Sequence, residues 1–476
     1  MSEIIIPDEA KFESIKNDYY DIAIGKIEKS VILTNQTFGG SSNPIIQFNI
    51  DGSPQTRLDL SSLYIIGDLN MQLTVGTNAY NAPTANNKNI PYVPASSELF
   101  SSITLSTRSG QIIEQLNNVD IINQVVKLCI SQDYADSVLS FGLNELNYNK
   151  RRQPTWIAGT LAAPGGNVNY AAGQNICSSA AAPLRIKVDA LYALGFFKTE
   201  KFFPTFLSNG ITLSLTMKSD NAIGFCYNAD DTNVLFTLSN LKLYYQDILC
   251  KNEYIQSWND TYGGSGGFEM LYNTYTTMTL TPSGDIGNAI VEMPFQMNLQ
   301  KCKGILAVVR LNANLGLKAE NDMAFCSAGF EGTNGLGYQF VLNGVQYPSI
   351  PVTSYARSME QFLSVCRLEN NTFPHCSLID FERWASDDPS TIAGNDRSTT
   401  TYTSASKQLG AFVMAIDLER YNSNSRSGLT LAGTHSMLLS WAGTTVAATL
   451  VAPRITLIFL HDKVAKFTNQ QVITYQ

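Results

Sequence analysis

The stretch Ile211-Thr212-Leu213-Ser214-Leu215-Thr216-Met217 sets apolar and polar side chains strictly in turn, and Asn209-Gly210 precedes it. Successive strand residues point to opposite faces, so this pattern predicts a strand with one face in a core and the other in a polar setting. A helix would need apolar residues near a 3.6 period. Upstream, the same alternation runs through Ile46, Phe48 and Ile50 before the turn Asp51-Gly52-Ser53-Pro54. It continues in Leu69, Met71, Leu73 and Val75 before Gly76, in Ile103 and Leu105, and in Leu184, Ile186 and Val188. Downstream it runs through Val234, Phe236, Leu238, Leu241 and Leu243, then restarts with Met270 and Tyr272 and recurs over 275–280, 305–311, 338–345, 412–418, 437–441 and 454–460. Asn117 to Ser131 is the exception: Val119, Ile122, Val126 and Cys129 lie near a helical period and predict a helix that decorates a β-sandwich.

Between the two runs of strands stands Gly263-Gly264-Ser265-Gly266-Gly267, the densest glycine cluster and a flexible-linker composition. A chain of 476 residues also exceeds the roughly 250–300 that one hydrophobic core serves. Short strands separated by polar loops argue sandwich or barrel architecture. The expected organisation is all-β: an N-terminal arm over 1–28, a first sandwich over 29–250, a Gly-rich linker over 251–267 and a second sandwich over 268–476. In the arm, Ile4, Ile5, Ile6, Phe12 and Ile15 sit among charges, and Pro7-Asp8-Glu9 suits the first turn of a short helix.

Apolar residues make up 44% of the chain, whereas charged residues reach only 15% against a usual value of about 25%. Such a surface loses little on desolvation, as interface centres require. The net charge of −8 repels phosphate, and Lys11, Lys16, Lys26 and Lys29 are interleaved with Asp8, Glu9, Glu13, Asp18, Asp21 and Glu28, so no direct, sequence-specific nucleic-acid binding is expected. The eight cysteines (129, 177, 226, 250, 302, 326, 366, 376) include no Cys-x-x-Cys and are expected to be reduced, buried thiols. The opening lacks a basic segment followed by a long apolar one. The longest apolar runs, such as 455–460, fall far short of the roughly 18 residues of a membrane helix, so a soluble, intracellularly made protein without a transmembrane segment is expected.

Chemistry finds little foothold. Of three histidines, His375 with Cys376, Asp380 and Glu382 comes nearest to a ligand set, but lacks metal-site spacing. His435 stands alone and His461 reads as the polar end of a strand. Gly263–Gly267 and Gly332–Gly337 lack the lysine of a phosphate loop. Lys150-Arg151-Arg152 reads as a loop or subunit contact, and Asp230-Asp231 and Asp387-Asp388 as solvated turns. No catalytic, cofactor-binding or metal residues are expected.

Several segments carry a resemblance through their order: residues 58–65 (LDLSSLYI), 99–105 (LFSSITL) with Ser109-Gly110, 207–215 (LSNGITLSL) with Lys218-Ser219-Asp220, and 234–245. In the second half 305–310, 340–344 (FVLNG) with Pro348, and 414–418 (MAIDL) follow. Together they resemble the double jelly-roll major capsid proteins of eukaryotic double-stranded DNA viruses, nearest to those of virophages, polinton-like viruses and adintoviruses. The resemblance implies two tandem eight-stranded jelly rolls with short helical insertions. It further implies homotrimers forming pseudo-hexagonal capsomers of an icosahedral shell, and an arm along the inner shell surface. Neighbouring capsomers and penton and minor capsid proteins would be partners, in a virion made and assembled inside the host cell, with no cofactor and no catalysis. The rival reading is a tandem β-sandwich carbohydrate-binding or adhesion module, for which Trp156, Trp258, Trp384 and Trp441 would supply stacking surfaces. Their single scattering favours packing, and a β-sandwich enzyme is a distant third.

Overall fold

The computed structural model describes residues 23–40, 42–75, 80–81, 91–92, 99–128, 169–170, 184–188, 191, 193–199, 201–219, 225–226, 232–262, 267–281, 291–311, 336–370, 384, 412–419, 428–441, 453–468 and 471–475. The first fourteen strands are β1 (Ala23–Ile32), β2 (Thr37–Gly39), β3 (Ile45–Ile50), β4 (Thr56–Val75), β5 (Tyr80–Asn81), β6 (Pro91–Tyr92), β7 (Phe100–Thr107), β8 (Ile112–Asn117), β9 (Asn169–Tyr170), β10 (Leu184–Val188), β11 (Phe202–Phe203), β12 (Ile211–Met217), β13 (Phe225–Cys226) and β14 (Thr232–Cys250). After them come β15 (Phe268–Leu280), β16 (Val291–Gln296), β17 (Leu299–Leu311), β18 (Leu336–Leu342), β19 (Val345–Val352), β20 (Met414–Asp417), β21 (Leu429–Leu431), β22 (Thr434–Trp441), β23 (Pro453–Thr468) and β24 (Gln471–Tyr475). The described α-helices are α1 (Val119–Leu128), α2 (Asn252–Tyr262) and α3 (Tyr355–Asn370).

One sheet of the first half has the order β1-β14-β4-β10, with β2 on β14 and β11 on β4; the facing sheet has the order β3-β12-β7-β8. The second half repeats this plan as β15-β23-β17-β20, with β21 and β24 attached, and β16-β22-β18-β19. In both halves the opening strand pairs with the last long strand, and the eight principal strands divide four and four. That is the eight-stranded jelly roll built from two Greek keys, made twice. β5 with β9 and β6 with β13 form two small additional pairs.

The stretch 211–217 behaves as its alternation requires. Ile211, Leu213, Leu215 and Met217 are buried, and Leu213 stands opposite Phe48 of β3 on one side and Leu105 of β7 on the other. Burying one such side chain contributes about 2–3 kcal/mol. The hairpin β18–β19 turns on Asn343-Gly344, both at positive φ (51° and 79°), as a two-residue type I′ turn needs. Residues 23–28, placed in the arm by the sequence reading, form the start of β1 and pair with the end of β14.

α1 lies within the helix expected over 117–131, and its Val119, Ile121, Ile122, Val125, Val126 and Leu128 are all buried. α3 was not legible as a helix, yet its Phe362, Val365 and Cys366 are buried and it packs on β17 and β20. α2 occupies the segment read as a glycine-rich linker and buries no residue fully. The expectation of reduced thiols holds for buried Cys250 and Cys302 and fails at Cys366, which is disulfide-bonded. Pairs closed by tertiary folding leave no trace in spacing. No helix among the described residues is long and apolar enough to cross a membrane.

Candidate functional site: the junction between the two jelly rolls

The buried apolar side chains of both halves form one continuous core. Where the rolls meet, β8 and residues 193–199 of the first face β15, β23 and β24 of the second. The Tyr272 hydroxyl and the Lys463 ammonium both donate to the Ile113 carbonyl, at 2.7 and 2.9 Å. The Val472 N–H donates to Gln111 Oε1 at 2.6 Å, and Asn118 Nδ2 donates to Thr277 Oγ1 at 3.0 Å.

Glu114 sits at the centre. Its side chain is fully buried and accepts from the Gly195 N–H (3.0 Å), the Phe196 N–H (2.9 Å) and the Thr274 hydroxyl (2.7 Å). One carboxylate therefore ties β8, the loop at 195 and the first strand of the other roll. Burial pushes its pKa up, opposed by Thr274, the two N–H donors and Lys463. Desolvation also draws down the ammonium of Lys463 and, to about 8, that of Lys198, a residue that stays exposed at the seam, with Glu114 opposing both. Burial likewise pushes the Tyr272 and Tyr275 hydroxyls up.

Aromatic rings close the same seam. Phe196 stands edge-on to Tyr272 (5.5 Å, 90°) and to Phe203 (5.4 Å, 80°), while Phe467 packs against Phe203 at 4.9 Å and stacks on Phe268 at 5.0 Å. Each such pair contributes about 0.5–1.5 kcal/mol beyond its buried area. Arg57, 1% exposed, lies over the rings of Phe206 and Trp258 (5.1 Å each) and Tyr254 (5.7 Å), which fastens α2 to the first roll through cation–π attraction. This arrangement has the chemistry of a fastener: the Glu114 carboxylate meets three donors and the rings interlock, while Arg57 Nε and Nη2 have no hydrogen-bond acceptor among the described residues and Arg57 lies against rings.

Glu114→Gln tests the electrostatics. In the folded chain the Glu114 proton is held above the ordinary glutamate value. Between that ordinary value and the raised one, the folded state keeps a proton that the unfolded chain releases, so stability falls as pH rises through the window. His461, with its pKa lowered to about 4, makes stability rise with pH toward the ordinary histidine value in parent and variant alike, so the reading is the difference: the parent's advantage over Glu114→Gln in denaturant midpoint should shrink between about pH 4 and 8. At the low end of that range the variant should be weaker by about 1–3 kcal/mol, because the new amide NH₂ opposes a backbone N–H. Lys198 acts higher: its lowered pKa makes stability rise with pH from about 8 toward the ordinary lysine value, outside that window.

The residues singled out from sequence do not converge. His461 is buried in β23, with Nε2 2.9 Å from Thr276 Oγ1 and Nδ1 3.1 Å from the Asp462 carbonyl, and burial lowers its pKa to about 4. It is a neutral core histidine. His435 Nδ1 accepts from the Asn343 N–H, and its Nε2 faces the Met297 carbonyl. Trp258 belongs to the Arg57 cage, and Trp384 packs between Phe362 and Phe412. Among the described residues no group of three or more His, Cys, Asp and Glu could hold a metal ion. His375, Cys376, Asp380, Glu382, Lys150–Arg152, Asp230-Asp231, Asp387-Asp388, Trp156, Gly263–Gly266, 332–335 and the arm over 1–22 lie outside the described residues, as does the side chain of Trp441. Sequence reasoning missed Glu114, Lys198, Gly195 and Arg57. Nothing in Ile-Ile-Glu-Gln-Leu-Asn marks its glutamate as a junction residue, since its donors lie 81, 82 and 160 residues away.

No protein-family model matches the chain, and no curated protein matches it in sequence. Solved structures do match in fold over nearly the whole length. PBCV-1 VP54, fitted into a reconstruction of the virophage Sputnik, superposes with a TM-score of 0.54 at 11% identity, covering 97% of this chain and 99% of that one. A chain from the 3.5 Å structure of the Sputnik virophage gives 0.55 at 11% identity (98% and 91%). One from the PBCV-1 virus capsid gives 0.53 at 12% identity (97% and 99%). At these identities the likeness is one of fold, and the double jelly roll is that fold.

Proposed function

We propose that this chain is the major structural protein of an icosahedral double-stranded DNA virus shell, acting as a homotrimeric, pseudo-hexagonal capsomer and performing no catalysis. The observation that carries the proposal is the pair of jelly rolls of identical strand order, locked by a built junction, in a chain that superposes end to end on one from the PBCV-1 virus capsid. Three copies of such a chain present six similar sandwiches, and rigid coupling within each copy keeps the six in one block. Ile24, Ile27 and Ile32 on edge strand β1, Val345 and Ile350 on edge strand β19, and Ile473 and Tyr475 on β24 are exposed. Apolar side chains on open strand edges suit burial against other copies. Neighbouring capsomers and penton and minor capsid proteins are the proposed partners, within a virion assembled in the host cell. The proposed division remains an arm over 1–28, rolls over 29–250 and 268–476, and the connecting segment 251–267.

Light scattering after size exclusion decides the oligomer. Three chains of 52.2 kDa should elute as one species of about 157 kDa and appear as hexagonal blocks by electron microscopy. A stable monomer that binds glycans would overturn the proposal. Deleting residues 1–20 spares every described strand, since β1 begins at Ala23. The truncated chain should still form trimers, while its yield of closed shells in an assembly assay falls. Loss of the trimer itself would refute the role assigned to the arm.

A further inference from the structure

Three strands of the second roll bring an amine, a carboxamide and a carboxyl group together in its interior. β23 lies between β15 and β17, and Asn273 of β15 stands directly opposite Asp462 of β23. On the other side the β17–β23 ladder slips between Cys302 and Gly304, which leaves Lys303 at the irregularity. Lys303 Nζ is 3.1 Å from Asn273 Oδ1 and 2.9 Å from Asp462 Oδ1, and the Lys303 and Asp462 side chains are each 3% exposed. Tyr272, Thr274, Cys302 and His461 around them are buried. The Asn273 backbone is also held from the first roll, since its carbonyl oxygen would lie 1.5 Å from a Cβ at Gly195.

A buried ammonium and carboxylate have exchanged most of their water for each other, so a proton need only cross their 2.9 Å contact to free the amine lone pair. An amine within hydrogen-bond reach of both a carboxamide and a carboxyl group supplies the components of an acyl transfer whose leaving group is ammonia. We propose that Lys303 and Asn273 are joined by an intramolecular isopeptide bond, with Asp462 as the proton carrier.

The atoms balance without an oxidant or any other reactant. The Lys303 ammonium gives one proton to the Asp462 carboxylate, which frees the Nζ lone pair. Nζ attacks Asn273 Cγ and forms the new C–N bond while the Asp462 carboxyl donates to the developing oxyanion at Oδ1. A second Nζ proton passes by way of Asp462 to Nδ2, the Cγ–Nδ2 bond breaks, and ammonia departs. Ammonia then takes the remaining proton from Asp462, which returns to the carboxylate. Contact geometry supplies the rate, since holding reactants in place replaces a bimolecular encounter. The bond ties β15 to β17 across β23 and secures the strand whose Tyr272 and Thr274 form the junction. It depends in no way on the capsid role.

Intact-mass measurement of the full-length, denatured protein tests it directly. The parent should be lighter than its sequence by about 17 Da, the mass of ammonia. Its tryptic digest should contain a branched peptide joining the Asn273 and Lys303 segments. Lys303→Arg and Asp462→Asn should each show their full sequence mass. A parent at full sequence mass, which needs no variant to establish, would overturn the proposal. So would a loss that persists in Lys303→Arg, or one that maps to a succinimide at Asn209-Gly210 or Asn343-Gly344 while Lys303 is recovered in a linear peptide.

Discussion

Leu213→Asp should yield no soluble, folded chain, and with it none of the proposed trimer. Leu213 is fully buried on β12, between β3 and β7, and faces Phe48 and Leu105. Removing the leucine side chain alone costs about 3–5 kcal/mol through lost transfer energy and the cavity left behind. A carboxylate in that cavity has no donor on either flanking strand position, so its desolvation adds several kcal/mol more. Together these exceed about 5 kcal/mol, the lower end of the stability of ordinary domains. Leu213→Ala separates the two costs: it should remain folded, with a denaturation midpoint lowered by about 3 kcal/mol worth of stability. Circular dichroism and size exclusion on the pair read the result, and a normally assembling Leu213→Asp would show that β12 does not line the core.

Gly195→Ala should open the junction while leaving each roll's own sheets paired. Gly195 has no positive φ, so the expected damage is steric: an added Cβ would lie 1.5 Å from the Asn273 carbonyl oxygen, a backbone atom that cannot rotate away. Separation of the two backbones lengthens the Gly195 and Phe196 N–H bonds to Glu114 and pulls Phe196 off Tyr272. Overpacking against rigid backbone costs about 3 kcal/mol or more, and each loosened donor about 1–3 kcal/mol. Limited proteolysis should then cut between the rolls, and hydrogen exchange should rise at β8 and β15 before it rises at β12 or β22. Gly25→Ala is the matched control: on β1 an added Cβ meets nothing within 4 Å, so stability should hold. Equal loss in both variants would mean that the seam at Gly195 is not the coupling element.

Both variants show where the fold was legible beforehand. The alternation that marks β12 recurs in β3, β7 and β14, where Ile46, Phe48 and Ile50, Ile103 and Leu105, and Phe236, Leu238, Leu241 and Leu243 lie in the core. The Asn-Gly pair at 343–344 sits at the tip of a hairpin. α2 and α3 were missed because neither carries a clear apolar stripe: α2 buries no side chain fully, and α3 mixes Arg357, Glu360 and Arg367 among its apolar residues. α1 was legible as a helix, but nothing in its own residues told that Val125 and Val126 would line one cavity with Tyr275, Leu306 and Leu460 of the second roll.

The sequence by itself determined the all-β class, the run of strands in each half and the absence of a recognisable catalytic motif. These follow from side chains one or two positions apart, because pleating alone decides which face a residue takes. Only the tertiary structure decided that Glu114 is buried at the seam between the rolls, that a glycine is required opposite Asn273, and that Lys303, Asn273 and Asp462 meet. Whether a polar group can be buried depends on donors and acceptors supplied by distant segments, and for Glu114 those lie up to 160 residues away. No local pattern carries that information, since the same Ile-Ile-Glu-Gln-Leu-Asn would be an ordinary edge strand if the second roll were not packed against it.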